Sequence, residues 1–139
     1  MIRRRDLKNL VDGRLADAHV LMSKRRYASA YYIVGYAVEC AIKVCIAGQF
    51  RKNTIPDKNL VNNTYTHDFE KLMKTAGIFA QLEQDIINDA DLYSSWNVVK
   101  DWRPEIRYTT SVTPLEARDL IDAIENQQNG ILQWLVQHW

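Results

Sequence analysis

Apolar residues recur at helical spacing over most of the chain. The stretch from about Arg5 to Ser23 predicts an amphipathic helix, whose apolar face comprises Leu7, Leu10, Val11, Leu15, Ala18, Leu21 and Met22. The stretch from about Arg26 to Phe50 is apolar nearly all round, so we expect it at the centre of a helical bundle. Small side chains along it should let the backbone of a neighbouring helix approach closely; they are Ala30, Ala37 and Ala41 on one stripe, with Gly35 nearby.

The middle of the chain alternates between helical and polar segments. Residues 51–66 are polar, contain Pro56 and carry no apolar periodicity, which predicts a loop. A helix should begin near Thr66–Asp68 and be interrupted at Gly77, and a further helix should run from about Phe79 to Val99. Residues 100–113 are predicted to be non-helical.

The last helix has the clearest start signal. Thr113, Pro114 and Glu116 supply an N-cap, a first-turn proline and a capping-box glutamate, and the helix should extend to about Gln137. No strand-like alternation of useful length is present. The pattern predicts an all-α fold, an antiparallel up-and-down four-helix bundle with an extra short helix, in one domain spanning residues 1–139.

Composition is that of an ordinary globular protein. Of the 139 residues, 47% are hydrophobic and 25% charged, and the net charge of +1 excludes a whole-molecule electrostatic binder of nucleic acid. Charge is nevertheless uneven, because residues 1–26 hold eight basic and three acidic side chains, a net of +5. This segment is either a patch for an anionic partner or a solvated helix face.

The sequence also points to a cytoplasmic protein without a membrane span. Cys40 and Cys45, five residues apart on a helix, are too far apart and badly aimed for a disulfide, so we expect buried thiols in a reducing compartment. Met1–Leu10 is basic and lacks the apolar region of a signal peptide. The apolar stretch Tyr27–Ala47 contains two charged residues and fits a core helix better than a bilayer span.

Several common chemistries have no residues to support them. The five glycines are scattered, so there is no glycine-rich phosphate loop. His19, His67 and His138 are far apart and form no metal-binding spacing. We therefore expect no metal site and no cofactor.

The segment Asp101–Tyr108 concentrates candidate binding groups. It brings Arg103, Arg107 and Tyr108 together with Trp102 in a non-helical region, and arginine forks bind phosphate and stack on aromatic rings. The alternative is structural: Trp102 and Tyr108 anchor the loop, and Arg107 is paired with the buried Glu39. Both interpretations hold if Glu39 fixes Arg107 at the edge of a cleft.

Three further groups each have a structural and a functional interpretation. Glu39 and Lys43, at i,i+4, form either a structural ion pair or the floor of a polar pocket. The tyrosines of the same helix fill the core or bind bases; they are Tyr31, Tyr32 and Tyr36. His67 and Asp68, at a predicted helix start, are either a helix cap and its neighbour or a catalytic pair.

These residues resemble a known family. The run Ala30–Lys43 (AYYIVGYAVECAIK) is similar to the second helix of HEPN domains, the higher eukaryotes and prokaryotes nucleotide-binding family. Arg14–Ala18, Thr66–Leu72 and Arg107–Tyr108 resemble the same family in the same order, so the resemblance covers most of residues 5–136.

The resemblance implies an all-α bundle that is usually a homodimer. It also implies a prokaryotic cytoplasmic protein, often made beside a small nucleotidyltransferase partner, with some such pairs acting as toxin–antitoxin systems. Members of the family bind nucleotides or cleave RNA without a metal ion.

The motif of the cleaving members is missing here. They carry an arginine followed, after four to six residues, by a histidine near the start of the last long helix. No histidine stands at those positions after Arg103, Arg107 or Arg118, so the usual proton-transfer group is lacking. Arg14 and His19 match the spacing only in the first helix, where their side chains diverge by about 140°.

The sequence thus predicts a non-cleaving, HEPN-type domain that binds a nucleotide or phosphate, with RNA as a further candidate ligand. The ligand-binding residues are expected to be Glu39, Lys43, Arg103, Arg107 and Tyr108. Two alternatives stay open: an interaction module without a ligand, and a metal-independent ribonuclease toxin with a different base such as His67.

Overall fold

The computed structural model describes residues 1–139, and all of its regular structure is helical, which confirms the all-α class. The α-helices are α1 (Arg4–Ser23), α2 (Tyr27–Ala47), α3 (Lys58–Asn63), α4 (Phe69–Ala76), α5 (Phe79–Asn88), α6 (Ala90–Val99), α7 (Pro114–Glu125) and α8 (Ile131–Val136). A 3₁₀ helix spans Pro104–Tyr108.

The two longest helices form an antiparallel hairpin. The chain reverses at Arg25, which has a φ of 58°, and Arg4 Nε at the start of α1 donates to the carbonyl of Val44 near the end of α2 at 3.3 Å. Helix α2 also packs against α4, α7, α8 and the 3₁₀ helix. The central position predicted for this apolar helix is therefore confirmed.

Helix α2 is the only helix that is long and apolar enough to cross a membrane by length and composition. However, 61% of its most apolar stretch is buried against other parts of the chain. This burial is typical of the core helix of a soluble protein.

One helix forms where a loop was predicted. Within residues 51–66, the Asp57 carboxylate accepts hydrogen bonds from the backbone N–H groups of Asn59 and Leu60 at 2.9 and 3.0 Å and starts α3. Helix α3 has no buried residue. Apolar periodicity could not reveal it, because its start depends on a polar cap.

Two helices predicted to be continuous are broken. The stretch Phe79–Val99 is divided at Asp89, whose backbone is extended and whose side chain caps α6. The last helix ends at Glu125 and restarts at Ile131, after a turn capped by Asn126. In both places an Asp or Asn side chain bonds to the backbone in place of helical hydrogen bonds.

The helix starts that carried strong local signals were predicted correctly. Asp68 accepts from the backbone N–H of Lys71 at 3.0 Å, and Thr113 and Glu116 form the reciprocal capping box of α7. Gly77 ends α4 with a φ of 75°, in the left-handed region that glycine favours.

Trp102 packs directly on Gly35 in the core. Trp102 is 1% exposed, and a Cβ on Gly35 would lie 2.0 Å from its indole ring. The indole stacks on Phe69, with ring centroids 5.4 Å apart, and its Nε1 donates to the carbonyl of Tyr31 at 3.1 Å. A small residue of α2 thus receives an aromatic ring rather than a helix backbone.

Gly35→Ala should destabilise the protein, although alanine favours helix more than glycine does. The added methyl group has to displace the indole, and overpacking of this kind costs about 1–3 kcal/mol in free energy of unfolding. Chemical denaturation followed by circular dichroism measures this value.

Gly13→Ala is the matched control. Gly13 lies in the exposed part of α1, and its added methyl group would have nothing within 4 Å. This substitution should stabilise the protein by about 0.5–1 kcal/mol through helix propensity. Equal effects of the two substitutions would contradict the Trp102–Gly35 packing.

Candidate functional site

Glu39 is the only buried charged residue, with 5% of its surface exposed. Its Oε1 accepts from Lys43 Nζ at 2.7 Å, and its Oε2 lies 2.7 Å from His67 Nδ1. Since a carboxylate only accepts hydrogen bonds, the imidazole donates through Nδ1. One carboxylate therefore holds two side chains from different parts of the chain.

The expected pairing of Glu39 with Arg107 is wrong. Glu39 contacts the Lys43 ammonium and the His67 imidazole, whereas Arg107 donates to the Tyr108 hydroxyl at 3.2 Å and stacks over its ring at 4.8 Å. Arg107 also lies near Tyr32, seven residues before Glu39 and so about 10 Å away along the helix axis. His67 and Arg107 therefore lie beside different turns of α2, His67 at Glu39 and Arg107 near Tyr32.

Trp102 fixes the segment that carries Arg107. Its indole is held between Gly35 and Phe69, and it lies edge-on to Tyr36, with ring centroids 5.1 Å apart. The 3₁₀ helix Pro104–Tyr108 follows directly and packs on α2. The predicted role of Trp102 as a loop anchor is confirmed, whereas Tyr108 is 78% exposed and does not anchor the loop in the core.

Two tyrosines of α2 lie between Arg107 and His67. The Tyr32 and Tyr36 hydroxyls are 3.3 Å apart, and Tyr36 lies edge-on to the His67 ring, with centroids 6.2 Å apart. Burial, the Tyr32 hydrogen bond and the negative charge of Glu39 together raise the pKa of Tyr36 to about 12. The Tyr36 hydroxyl therefore stays protonated at neutral pH and can donate a hydrogen bond.

These contacts define a continuous surface that we call the polar strip: Tyr32, Tyr36, Glu39 and Lys43 on α2, with His67 and Arg107 beside it. The four α2 positions are spaced three or four residues apart, which places them on one face of the helix. Neither Glu39 nor Arg107 lines any of the four main cavities, although Lys43 lines one of them. The expected cleft between these two residues is not among them.

Arg103 lies at the edge of the polar strip. Its guanidinium donates to the carbonyls of Lys100 and Trp102 at 3.0 and 2.8 Å and lies 3.4 Å from the Asp68 carboxylate. It therefore joins the end of α6 to the start of α4. Its donors are largely used within the chain, unlike those of Arg107.

The charges around the polar strip favour an anion. Lys43 and Arg107 are cationic, the His67 ring is half exposed, and Glu39 is the only acidic member. Hydrogen bonds and charge interactions with Tyr108 raise the pKa of Arg107 above its ordinary value. Arg107 thus stays fully charged throughout the physiological range.

Nucleophilic or metal chemistry finds little support. No group of three or more His, Cys, Asp or Glu side chains is placed to hold a metal ion. Burial raises the pKa of Cys40, and raises that of Cys45 to about 11, so neither thiol is activated as a thiolate. Arg14 and His19 are held by different partners, Asp17 at 2.9 Å and Glu125 at 2.7 Å.

Sequence reasoning did not find the His67–Glu39 contact. His67 stood out only as the neighbour of a helix cap, and Asp68 does form that cap. The one available signal was a buried carboxylate that needed donors, together with a histidine at a helix start.

Comparisons of the chain with protein-family models, with curated proteins and with solved structures found no match.

Glu39→Gln should lower the free energy of unfolding by about 1–3 kcal/mol, the cost of weakening a buried hydrogen-bond acceptor. The loss stays below that of a fully buried pair because Lys43 and His67 both reach solvent. Urea denaturation monitored by circular dichroism gives the value.

The matched control is Glu70→Gln. Glu70 pairs with Lys74 at 2.6 Å with the same i,i+4 spacing, but both side chains are more than half exposed. Its substitution should leave stability unchanged within error. A Glu39 variant as stable as the Glu70 variant would show that the Glu39 contacts contribute nothing.

Proposed function

We propose that the chain is a HEPN-type helical bundle that binds the phosphate of a nucleotide at the polar strip and does not cleave RNA. The observation that carries this proposal is the state of Arg107. Its guanidinium is exposed near Tyr32 of α2 and lies over the Tyr108 ring, and it donates to a neutral hydroxyl instead of a carboxylate. An arginine in this state has donors free for a phosphate.

The remaining members of the polar strip have complementary roles in this proposal. The Tyr36 hydroxyl donates a hydrogen bond, and Lys43 adds a positive charge at the far end. From Tyr32 to Lys43 the strip follows α2 for about 16 Å, which is long enough for a nucleotide with more than one phosphate. Tyr108, which is largely exposed, can stack on a base.

The five residues expected to bind the ligand have unequal roles in the revised site. Lys43 and Arg107 provide charge, and Tyr108 provides a stacking surface. Glu39 positions Lys43 and His67 instead of positioning Arg107. Arg103 supports the site from its edge through Asp68.

A homodimer, a nucleotidyltransferase partner of the toxin–antitoxin type and a cytoplasmic, prokaryotic setting are further parts of this proposal. Their support is the resemblance of the α2 run Ala30–Lys43 and of Thr66–Leu72 to HEPN domains. A monomer in sedimentation at tens of micromolar, with no co-purified partner, would count against the assembly without affecting the phosphate site.

The nucleotide proposal is tested by isothermal titration calorimetry with ATP, AMP and GMP. The wild-type protein should bind at least one of them, and Arg107→Gln should weaken binding by about tenfold or more, the value of one charge-assisted contact. Arg118→Gln is the control, because Arg118 is exposed on α7 and lies outside the polar strip. It should bind like wild type.

Two results would contradict this proposal. One is the absence of any heat at millimolar nucleotide. The other is equal binding by the folded Arg107 and Arg118 variants, because the phosphate would then lie elsewhere.

A ribonuclease is the second candidate function, favoured by one observation. The Glu39 carboxylate fixes the His67 imidazole through Nδ1 and leaves Nε2 for proton transfer. We expect a structured RNA incubated with the protein and EDTA to stay intact, because no activated partner for such a base is present. Cleavage that is lost in His67→Ala would replace the binding proposal with this one.

A further inference from the structure

A second potential site lies beyond the end of the polar strip. It is a pocket of about 480 Å³ between the first turn of α1, the last turns of α2 and the α3 region. This volume is within the range of small-molecule sites. Most of its wall is apolar and includes the at least partly exposed side chains of Ile2, Phe50, Val61 and Tyr65.

The two charged side chains in the pocket wall are both cationic. They are Arg4 and Lys43, and no acidic residue lines the pocket. Arg4 donates through Nε to the Val44 carbonyl and forms no ion pair with a carboxylate, so its terminal amino groups are free. Lys43 gives one of its three ammonium protons to Glu39 and retains two.

An apolar cavity with two such cations is complementary to one kind of ligand. A neutral apolar molecule would leave the donors of Arg4 and Lys43 unused, and an organic cation would be repelled. A fully polar anion, such as inorganic phosphate, would leave the apolar wall unfilled. A ligand with an apolar body and one anionic head satisfies both parts of the pocket.

We propose that this pocket binds a small amphipathic carboxylate, with its apolar body against Phe50 and Val61 and its head between Arg4 and Lys43. The inference goes beyond the nucleotide proposal and does not rest on it, because Arg107 and Tyr108 do not line the pocket. Lys43 belongs to both sites, so an anion in the pocket competes with Glu39 for that ammonium.

The test measures displacement of anilinonaphthalene sulfonate fluorescence by decanoate, with decanol as the uncharged ligand of equal chain length. Decanoate should bind saturably and at least about tenfold more tightly than decanol. Arg4→Gln should weaken decanoate binding by about tenfold, and Val61→Glu, which places an acid in the wall, should abolish it. Near-UV circular dichroism confirms that each variant is folded.

Two controls separate this pocket from other surfaces. Arg5→Gln removes an exposed neighbouring charge that does not line the pocket and should bind decanoate normally. Arg107→Gln should also bind it normally, even if nucleotide binding is lost.

Several outcomes would overturn the proposal. These are no saturable binding of decanoate at millimolar concentration, equal affinity for decanol, or equal effects of the Arg4 and Arg5 substitutions. Association only with anionic lipid vesicles would show a membrane surface instead of a pocket. Displacement of decanoate by ATP in the Arg107→Gln variant, which should no longer bind the nucleotide at the polar strip, would assign the cavity to the nucleotide.

Discussion

The insertion of the Trp102 indole against Gly35 is the contact on which the arrangement of the candidate site depends. It buries the largest side chain of the segment after α6 and places its Nε1 on the Tyr31 carbonyl. The chain must then cross α2 at this point. The following 3₁₀ helix therefore places Arg107 near the Tyr32 turn, where its side chain remains exposed, and not at Glu39.

A second constraint is the buried carboxylate of Glu39. A charge with 5% exposure needs donors, and Lys43 and His67 supply them from the same helix and from the start of α4. The two constraints act at neighbouring turns of α2, and Tyr36 contacts both Trp102 and His67 between them. The result is a surface with ordered cations and hydroxyls and a single acidic group.

Local signals made much of the fold predictable. The apolar periodicity of α1 and α2 and the caps at Asp68 and Thr113 depend on residues within one or two turns, so the sequence was sufficient for them. The breaks at Asp89 and near Gly130 and the short helix α3 were missed. In these places polar side chains form hydrogen bonds to the backbone. They break a continuous apolar periodicity at Asp89 and Asn126, and they start a helix at Asp57 where no apolar periodicity exists.

The candidate site was predictable only in part, for the same physical reason. The Glu39–Lys43 pair is local and was identified, because i,i+4 neighbours meet on any helix. The partner from outside the helix was assigned to Arg107 and is His67. To choose between Arg107 and His67, one must know which turn of α2 each of their segments crosses. The packing of Trp102 against Gly35 decides where the Arg107 segment crosses.

The central claim is that this crossing leaves Arg107 as an ordered, available phosphate donor. Nuclear magnetic resonance of the arginine Nε–H and tryptophan indole N–H groups during titration with pyrophosphate tests it directly. The Arg107 resonance should shift saturably, while the Trp102 indole signal, already bonded to the Tyr31 carbonyl, should stay in place. An Arg107 signal that does not respond, or that moves no more than that of Arg118, would contradict the account.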